Sequence, residues 1–192
     1  MQEVELDDID GCVIECGCAL GGSSILLTSL KKSARQFFVH DVFDMIPPPT
    51  DEDGQDVIDR YQTIKAGESK GLGGDEYYGY INDLKDKVAQ NIESFGFDLK
   101  TENVHLVEGL VQDTLSPDGP VSLAHIDVDW YEPVKCCLER ILPNLSPGGY
   151  IVIDDYNDWS GCRKATDEFL KEHGDMFERS EDSISLVLKR RT

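Results

Sequence analysis

Asp127, Asp154 and Asp155 are the side chains best placed to do chemistry together. The first closes the apolar run leading through His125-Ile126-Asp127, and the other two close Tyr150-Ile151-Val152-Ile153-Asp154-Asp155. Between them lie an apolar face at helical spacing (Val134, Cys137, Leu138, Ile141, Leu142) and the turn signal Ser146-Pro147-Gly148-Gly149. Strand, helix, turn, strand predicts two parallel strands whose carboxyl ends share one sheet edge. The three carboxylates then approach one another, which is unfavourable unless something compensates the charge. A hard divalent cation, Mg²⁺ or Ca²⁺, is the simplest compensation and takes oxygen ligands. The competing reading is helix capping and solvated loop acids. Asp129 fits capping of the following helix better than an outer ligand role.

A second constellation lies near the start. Gly11 to Gly17 is a short apolar run ending in glycine, followed by a glycine-rich turn, a helix carrying Ile25, Leu26 and Leu30, and Arg35 to Asp41 as a second strand ending in acid. Ser23 or Ser24 is the expected helix cap. Strand, glycine turn, helix, strand and acid make a mononucleotide-binding unit. The glycines do not follow G-x-G-x-x-G. Glu15 precedes Gly17, with Gly21 and Gly22 beyond. Gly17 lets backbone approach a ligand, and Asp41 at a strand tip can accept hydrogen bonds from two ribose hydroxyls. A plain tight turn is the alternative reading of these glycines.

The elements that must position both groups fit one domain over residues 1–192. The chain has 192 residues, 40% of them hydrophobic, enough for a sizeable core. No apolar run reaches the ~18–20 residues of a membrane span, and the acidic N-terminus lacks signal-peptide features, so the expected location is cytoplasmic. The formal net charge of −20 argues against nucleic acid and anionic membranes as partners. Cys12, Cys16, Cys18, Cys136, Cys137 and Cys162 form no CxxC pair and read as reduced thiols. Residues 42–80 interrupt the rhythm with Pro47-Pro48-Pro49, acids and glycines, which predicts a mobile lid with some helix near Val57–Ile64. Ile81, Leu84, Val88, Ile92 and Phe95 predict an amphipathic helix, and Val104 to Gly109 a third strand. Cys162, Ala165 and Phe169 mark a last helix, and Phe177–Ser180 with Ile184–Leu188, around Glu181-Asp182, a terminal hairpin. The fold class is α/β: a Rossmann-like sheet, mostly parallel with a C-terminal antiparallel hairpin and helices on both faces.

Several segments recur together in order: Glu15-Cys16-Gly17 with Gly21-Gly22-Ser23, Asp41-Val42-Phe43 before the three prolines, Asp113-Thr114-Leu115, His125 to Glu132, Leu145 to Tyr150, Asp154-Asp155-Tyr156, and Gly161 to Ala165 with Asp167-Glu168-Phe169. In this set, spread over roughly residues 11–172, the chain resembles the macrocin O-methyltransferase family of class I S-adenosylmethionine-dependent methyltransferases. The resemblance implies Mg²⁺-dependent O-methylation of a sugar hydroxyl on a natural-product glycoside. It implies Asp127, Asp154 and Asp155 as metal ligands. It implies Glu15, Gly17, Gly21, Gly22, Ser23, Asp41, Gln112 and Asp113 as the cofactor site. The partner it implies is a small-molecule hydroxyl acceptor.

Two departures bear on the substrate. Only about ten residues precede the first strand, where the family usually has a substantial helical segment, and the expectation is that part of the substrate cover is missing or supplied by a partner subunit in a homo-oligomer. Val128 stands where the family has glycine. Catechol-type relatives carry a lysine base three residues after the first metal aspartate, where this chain has Trp130. Asp127 is then the expected proton acceptor, with His125 the other choice. Two rival readings remain at this level: a nucleoside-binding module without catalysis, and a nicotinamide-dependent oxidoreductase.

Overall fold

The computed structural model describes residues 1–180 and 185–192. Five short apolar runs become parallel strands: β1 (Cys12–Cys16), β2 (Phe37–Asp41), β3 (Val104–Glu108), β4 (Val121–Ile126) and β5 (Leu145–Ile153). The hairpin strands are β6 (Phe177–Ser180) and β7 (Leu186–Arg190). The helices are α1 (Gln2–Leu6), α2 (Gly22–Leu30), α3 (Gln55–Lys65), α4 (Leu84–Ser94), α5 (Val111–Thr114), α6 (Tyr131–Ile141) and α7 (Ser160–His173). The sheet order is β3-β2-β1-β4-β5-β7-β6, with β7 antiparallel to both its neighbours. The expected α/β class and terminal hairpin are therefore present. The turn at Glu181-Asp182 and Ile184 lie outside the described residues.

Strand alternation sorts the core into two layers. Ile14, Ala124, Ile126, Ile151 and Ile153 pack against Val134, Cys137, Leu138 and Ile141 of α6 and against Cys162, Ala165 and Phe169 of α7. Val13, Phe37, Val39 and Leu123 point the other way, onto Leu84, Val88 and Ile92 of α4 and Val4 of α1. Strands buried on both faces read as continuous apolar runs, which is why they stand out in the sequence. All six cysteines are free.

The structure corrects four local expectations. Neither Ser23 nor Ser24 caps α2: its N-cap is Gly21, with no side-chain cap bond, and Ser24 Oγ instead donates to the buried carboxylate of Glu15. Phe95 is 68% exposed because α4 ends one residue before it. Pro147-Gly148-Gly149 is not a turn ahead of the strand but lies within it. Leu145 pairs with Val121 and Tyr150 with Leu123, so the residues between bulge out of register. Arg35 stands before β2 and turns inward.

The long stretch after β2 contains one proper helix. Val57 and Tyr61 of α3 bury against Trp130 in a small separate cluster. Residues Lys70 and Glu76 form an isolated bridge. The Tyr80 hydroxyl donates to Ile64 O at 2.5 Å and accepts from Ser69 N at 3.2 Å, so this tyrosine holds the stretch together.

Arg35 ties the N-terminal segment to the sheet. Its guanidinium bonds Glu5 Oε1 at 2.7 Å, Ile9 O at 2.8 Å, Ser122 Oγ at 3.1 Å and the carbonyl of Gly11. Bonds to charged groups are strong, and their removal strands buried acceptors. Arg35→Ala is expected to lower unfolding free energy by about 2–4 kcal/mol in urea titrations. A loss within the ~0.5 kcal/mol typical of surface changes would contradict this role.

Candidate functional site

The carboxyl ends of β1, β2 and β4 meet at one point because their backbones interlock. Gly17 N donates to His40 O and Asp127 N to Cys16 O, both at 2.8 Å. Gly17 has φ +83°, and a Cβ there would overlap the carbonyl oxygen of Asp127. Only glycine lets the two strand ends come this close.

Asp127, Asp154 and Asp155 each offer an oxygen within 4.8 Å of the others. Two strand tips and the helical turn after β5 bring them together, as the parallel reading required. Asp154 Oδ1 accepts from Ser185 Oγ at 2.6 Å. Asp155 Oδ2 is buried with no hydrogen-bond partner, an uncommon arrangement for a buried polar atom. Burial, then the neighbouring charges of Asp155, Asp129 and Asp154, push the Asp127 carboxyl far above the usual range. Asp155 is raised for the same first reason, with Asp154 and Asp158 adding to it. The all-oxygen donor set and the unpaired Asp155 oxygen fit a hard divalent cation.

Asp129 does not cap the following helix. The N-cap of α6 is Trp130, without a side-chain bond. Asp129 has φ +57° and joins the acid cluster. Burial and Asp155 raise its carboxyl, and a hydrogen bond from Trp159 partly offsets them.

Gly17, Asp41 and Gln112 line a cleft of about 150 Å³ together with Asp127. Asp41 Oδ2 accepts from Cys18 N at 2.8 Å and Oδ1 from Phe43 N at 2.7 Å. Each oxygen keeps a further lone pair. Val128, Trp130, Tyr78 and Pro47 to Pro49 supply apolar lining to the cleft. The charged lining consists of Asp41, Asp44, Asp53, Asp127, Asp129 and Glu132, with neither Lys nor Arg among the described lining residues.

Five residues expected at the cofactor site, Glu15, Gly21, Gly22, Ser23 and Asp113, are not in the cleft lining. Glu15 is fully buried, accepting from Ser24 and from His125 Nδ1 at 3.2 Å. Burial lowers the His125 imidazole, but the hydrogen bond and charge of Glu15 outweigh it and hold His125 above its ordinary value. Gly21 packs toward Val88 of α4 rather than toward the cleft.

Sequence reasoning missed Asp53 and Asp56. Asp53 is buried, and its Oδ1 accepts from Tyr131 N, the first residue of α6, at 2.8 Å. Asp56 Oδ2 accepts from Ser160 N, the first residue of α7, at 2.9 Å. An acid at a helix N-terminus is a common signal, but here the acids come from more than seventy residues away in sequence and no local pattern connects them. Trp130, standing where a lysine base would be, donates Nε1–H to Pro47 O at 3.0 Å.

A Rossmann-like sheet with an antiparallel final hairpin and a cleft at its carboxyl edge defines a class I methyltransferase fold. The chain belongs to the macrocin O-methyltransferase family, matching the family model described as Macrocin-O-methyltransferase (TylF) over residues 1–179. It is 30% identical over 182 residues to 8-demethyl-8-(2,3-dimethoxy-alpha-L-rhamnosyl)-tetracenomycin-C 4'-O-methyltransferase of Streptomyces olivaceus, covering 91% of this chain and 63% of that protein. It is 27% identical to demethyldecarbamoylnovobiocin O-methyltransferase of Streptomyces niveus, covering 88% of this chain and 62% of that protein. The chain therefore spans just under two thirds of the length of these relatives. The O-methyltransferase NovP superposes with a TM-score of 0.76 at 23% identity, covering 98% of this chain and 75% of the other. The calicheamicin methyltransferase CalS11 gives 0.71 at 19% identity over the same shares. These last two likenesses concern the fold.

His40 lines the cleft, with Thr114 Oγ1 at 3.2 Å from Nδ1. Burial pulls its imidazole down to about 4. An unfolded histidine titrates near 6.5, so between these values the unfolded chain binds more protons and stability falls as pH falls. The gap corresponds to at most about 3 kcal/mol. The stability of wild type relative to His40→Gln is therefore expected to decline from pH 7 to pH 4 by up to about this amount. A pH-independent difference in urea midpoints would remove the assignment.

Proposed function

We propose that this chain catalyses S-adenosylmethionine-dependent methylation of a hydroxyl on a small natural-product glycoside, with Mg²⁺ as metal cofactor. The observation that carries the reading is the shared cleft, which Gly17, Asp41, Gln112 and Asp127 all line. The wholly acidic charged lining suits a cationic sulfonium. It is a poor environment for the diphosphate of a nicotinamide dinucleotide, which argues against the oxidoreductase reading. The net charge of −20 favours a neutral acceptor over a polyanion. By its name, the Streptomyces olivaceus relative methylates a hydroxyl of a rhamnosyl-bearing tetracenomycin, and the Streptomyces niveus relative is an O-methyltransferase acting on demethyldecarbamoylnovobiocin.

Asp41 accepts from ribose hydroxyls with the lone pairs its backbone partners leave free. Gly17 lets the cofactor lie close against the strand end. Asp127, Asp154 and Asp155 hold the cation, which when bound supplies Lewis acidity that lowers the pKa of an acceptor hydroxyl. Asp127 would accept the acceptor hydroxyl's proton at a carboxylate oxygen, and bound S-adenosylmethionine would supply the methyl group from its sulfonium. His125 is a poorer base because its Nδ1 is engaged with Glu15, and Trp130 has no basic atom. The apolar wall of Pro47 to Pro49 and Tyr78 keeps water from the sulfonium. Placement of the two reactants supplies much of the acceleration.

Asp154→Asn, or EDTA treatment of the wild type, is expected to reduce methyl transfer to a glycoside panel by roughly 100-fold or more, several kcal/mol of lost charge stabilisation. Binding of S-adenosylhomocysteine should persist. Full turnover in EDTA would remove the metal from the mechanism. Asp41→Ala is expected to weaken S-adenosylhomocysteine binding by about 2 kcal/mol, roughly thirtyfold by calorimetry. Unaltered affinity would remove Asp41 from the cofactor site.

A further inference from the structure

We propose that Asp53 and Asp56 are positioning residues for the cation site, fixing the two carboxylate-bearing loops through the N-termini of α6 and α7. The inference rests on the cation reading above and adds the means by which this chain holds its ligands in place.

Asp127 sits four residues before Tyr131, and Asp155 five before Ser160. Neither segment between is regular strand or helix throughout. Each loop ends where a helix begins, and each helix begins on an acid from the same short stretch of chain. Asp53 Oδ1 accepts from Tyr131 N at 2.8 Å, while its Oδ2 accepts from Thr50 N at 2.9 Å. Asp56 Oδ2 accepts from Ser160 N at 2.9 Å, and its Oδ1 accepts from Ser160 Oγ. One carboxylate thus grips each loop at its far end, and Asp53 and Asp56 stand three residues apart at the start of α3. A third tie, Trp130 Nε1 to Pro47 O at 3.0 Å, joins the same stretch to the first loop. Trp130 and Trp159 meet edge to face with centroids 5.8 Å apart, so the two loops also touch one another.

Two glycines point to the same clamp independently. A Cβ on Gly161 would overlap Asp53 Oδ1 and lie 2.9 Å from Tyr131 N. A Cβ on Gly54 would overlap Ser160 Oγ and lie 2.7 Å from Asp56 Oδ1. Neither glycine has a positive φ. Their missing side chains make room for the two carboxylates to reach the helix ends, and backbone freedom does not explain them.

The physical need is plain. Like charges on the two loops push them apart whenever the cation is absent. Partners hydrogen-bonded directly to metal ligands typically contribute about 10–100-fold in metal affinity; Asp53 and Asp56 act one step further back, through the amides of Tyr131 and Ser160. The helix N-termini add a favourable field for both acids.

The test uses Mn²⁺ as the probe, titrated into the full chain and followed by electron paramagnetic resonance, with S-adenosylhomocysteine titrated separately by calorimetry. Asp53→Ala and Asp56→Ala are each expected to weaken Mn²⁺ binding about tenfold or more, and Asp56→Ala, at a residue outside the cleft lining, to leave S-adenosylhomocysteine affinity unchanged. Asp53→Asn and Asp56→Asn keep an acceptor oxygen and should restore most of the Mn²⁺ affinity. A general loss of structure would move both ligands together and would not be rescued by Asn. Asp56 is exposed, so Asp56→Ala folds and decides the matter alone where Asp53→Ala does not. Wild-type Mn²⁺ affinity in Asp56→Ala, or parallel loss of both ligands, overturns the clamp. Absence of Mn²⁺ binding in the wild type overturns the cation reading and the clamp with it.

Discussion

Three carboxylates whose oxygens lie within 4.8 Å of one another repel, and burial makes the repulsion worse. Much of the carboxyl edge of this sheet can be understood as holding them there. Parallel strands deliver Asp127 and the Asp154-Asp155 pair to the same side. Gly17 lets β1 close against the backbone of Asp127. Ser185 donates to one oxygen of Asp154, and Trp159 hydrogen-bonds Asp129 beside Asp155. What remains uncompensated is negative charge and one buried, unpartnered oxygen on Asp155, the condition that a hard cation relieves.

The β1 and β2 end of the cleft is built on a different principle. Glu15, buried at the centre of β1, lines no cavity. It accepts from Ser24 of α2 and from His125 of β4, and so locks the glycine turn and the neighbouring strand to each other. Its effect on a ligand would be transmitted through the turn. Asp41 is different, since it stands at the cleft with acceptor capacity left after bonding two backbone amides. Two acids at equivalent places in a mononucleotide unit thus do separate work, one structural and one facing the ligand cleft.

The stretch after β2 joins the two halves. Its prolines wall the cleft, its tyrosines pack or line it, and its acids reach the helices behind the carboxylates. A segment that reads as a loose cover in sequence is stitched to the active edge at three points. Its composition is turn-rich because it must bend round the sheet edge.

Much of this was legible in the chain itself. Apolar runs of five or six residues closed by acid specified parallel strands and the edge where Asp127, Asp154 and Asp155 gather, because burial on both faces leaves a continuous apolar signal. Helical spacing located α4, α6 and α7, and Gly17 and Asp41, singled out from the first two strands, both line the cleft. Local signals failed where a long-range partner decided the outcome. Ser24 looked like a cap but answers Glu15; Asp129 looked like a cap but joins the acids; Phe95 kept the helical period but lies past the helix end. Asp53 and Asp56 were two acids among many in a loop, and only tertiary structure set them against Tyr131 and Ser160. The physical reason is distance along the chain: periodicity records which face a residue buries, but a hydrogen bond across seventy or a hundred residues leaves no trace in its neighbours.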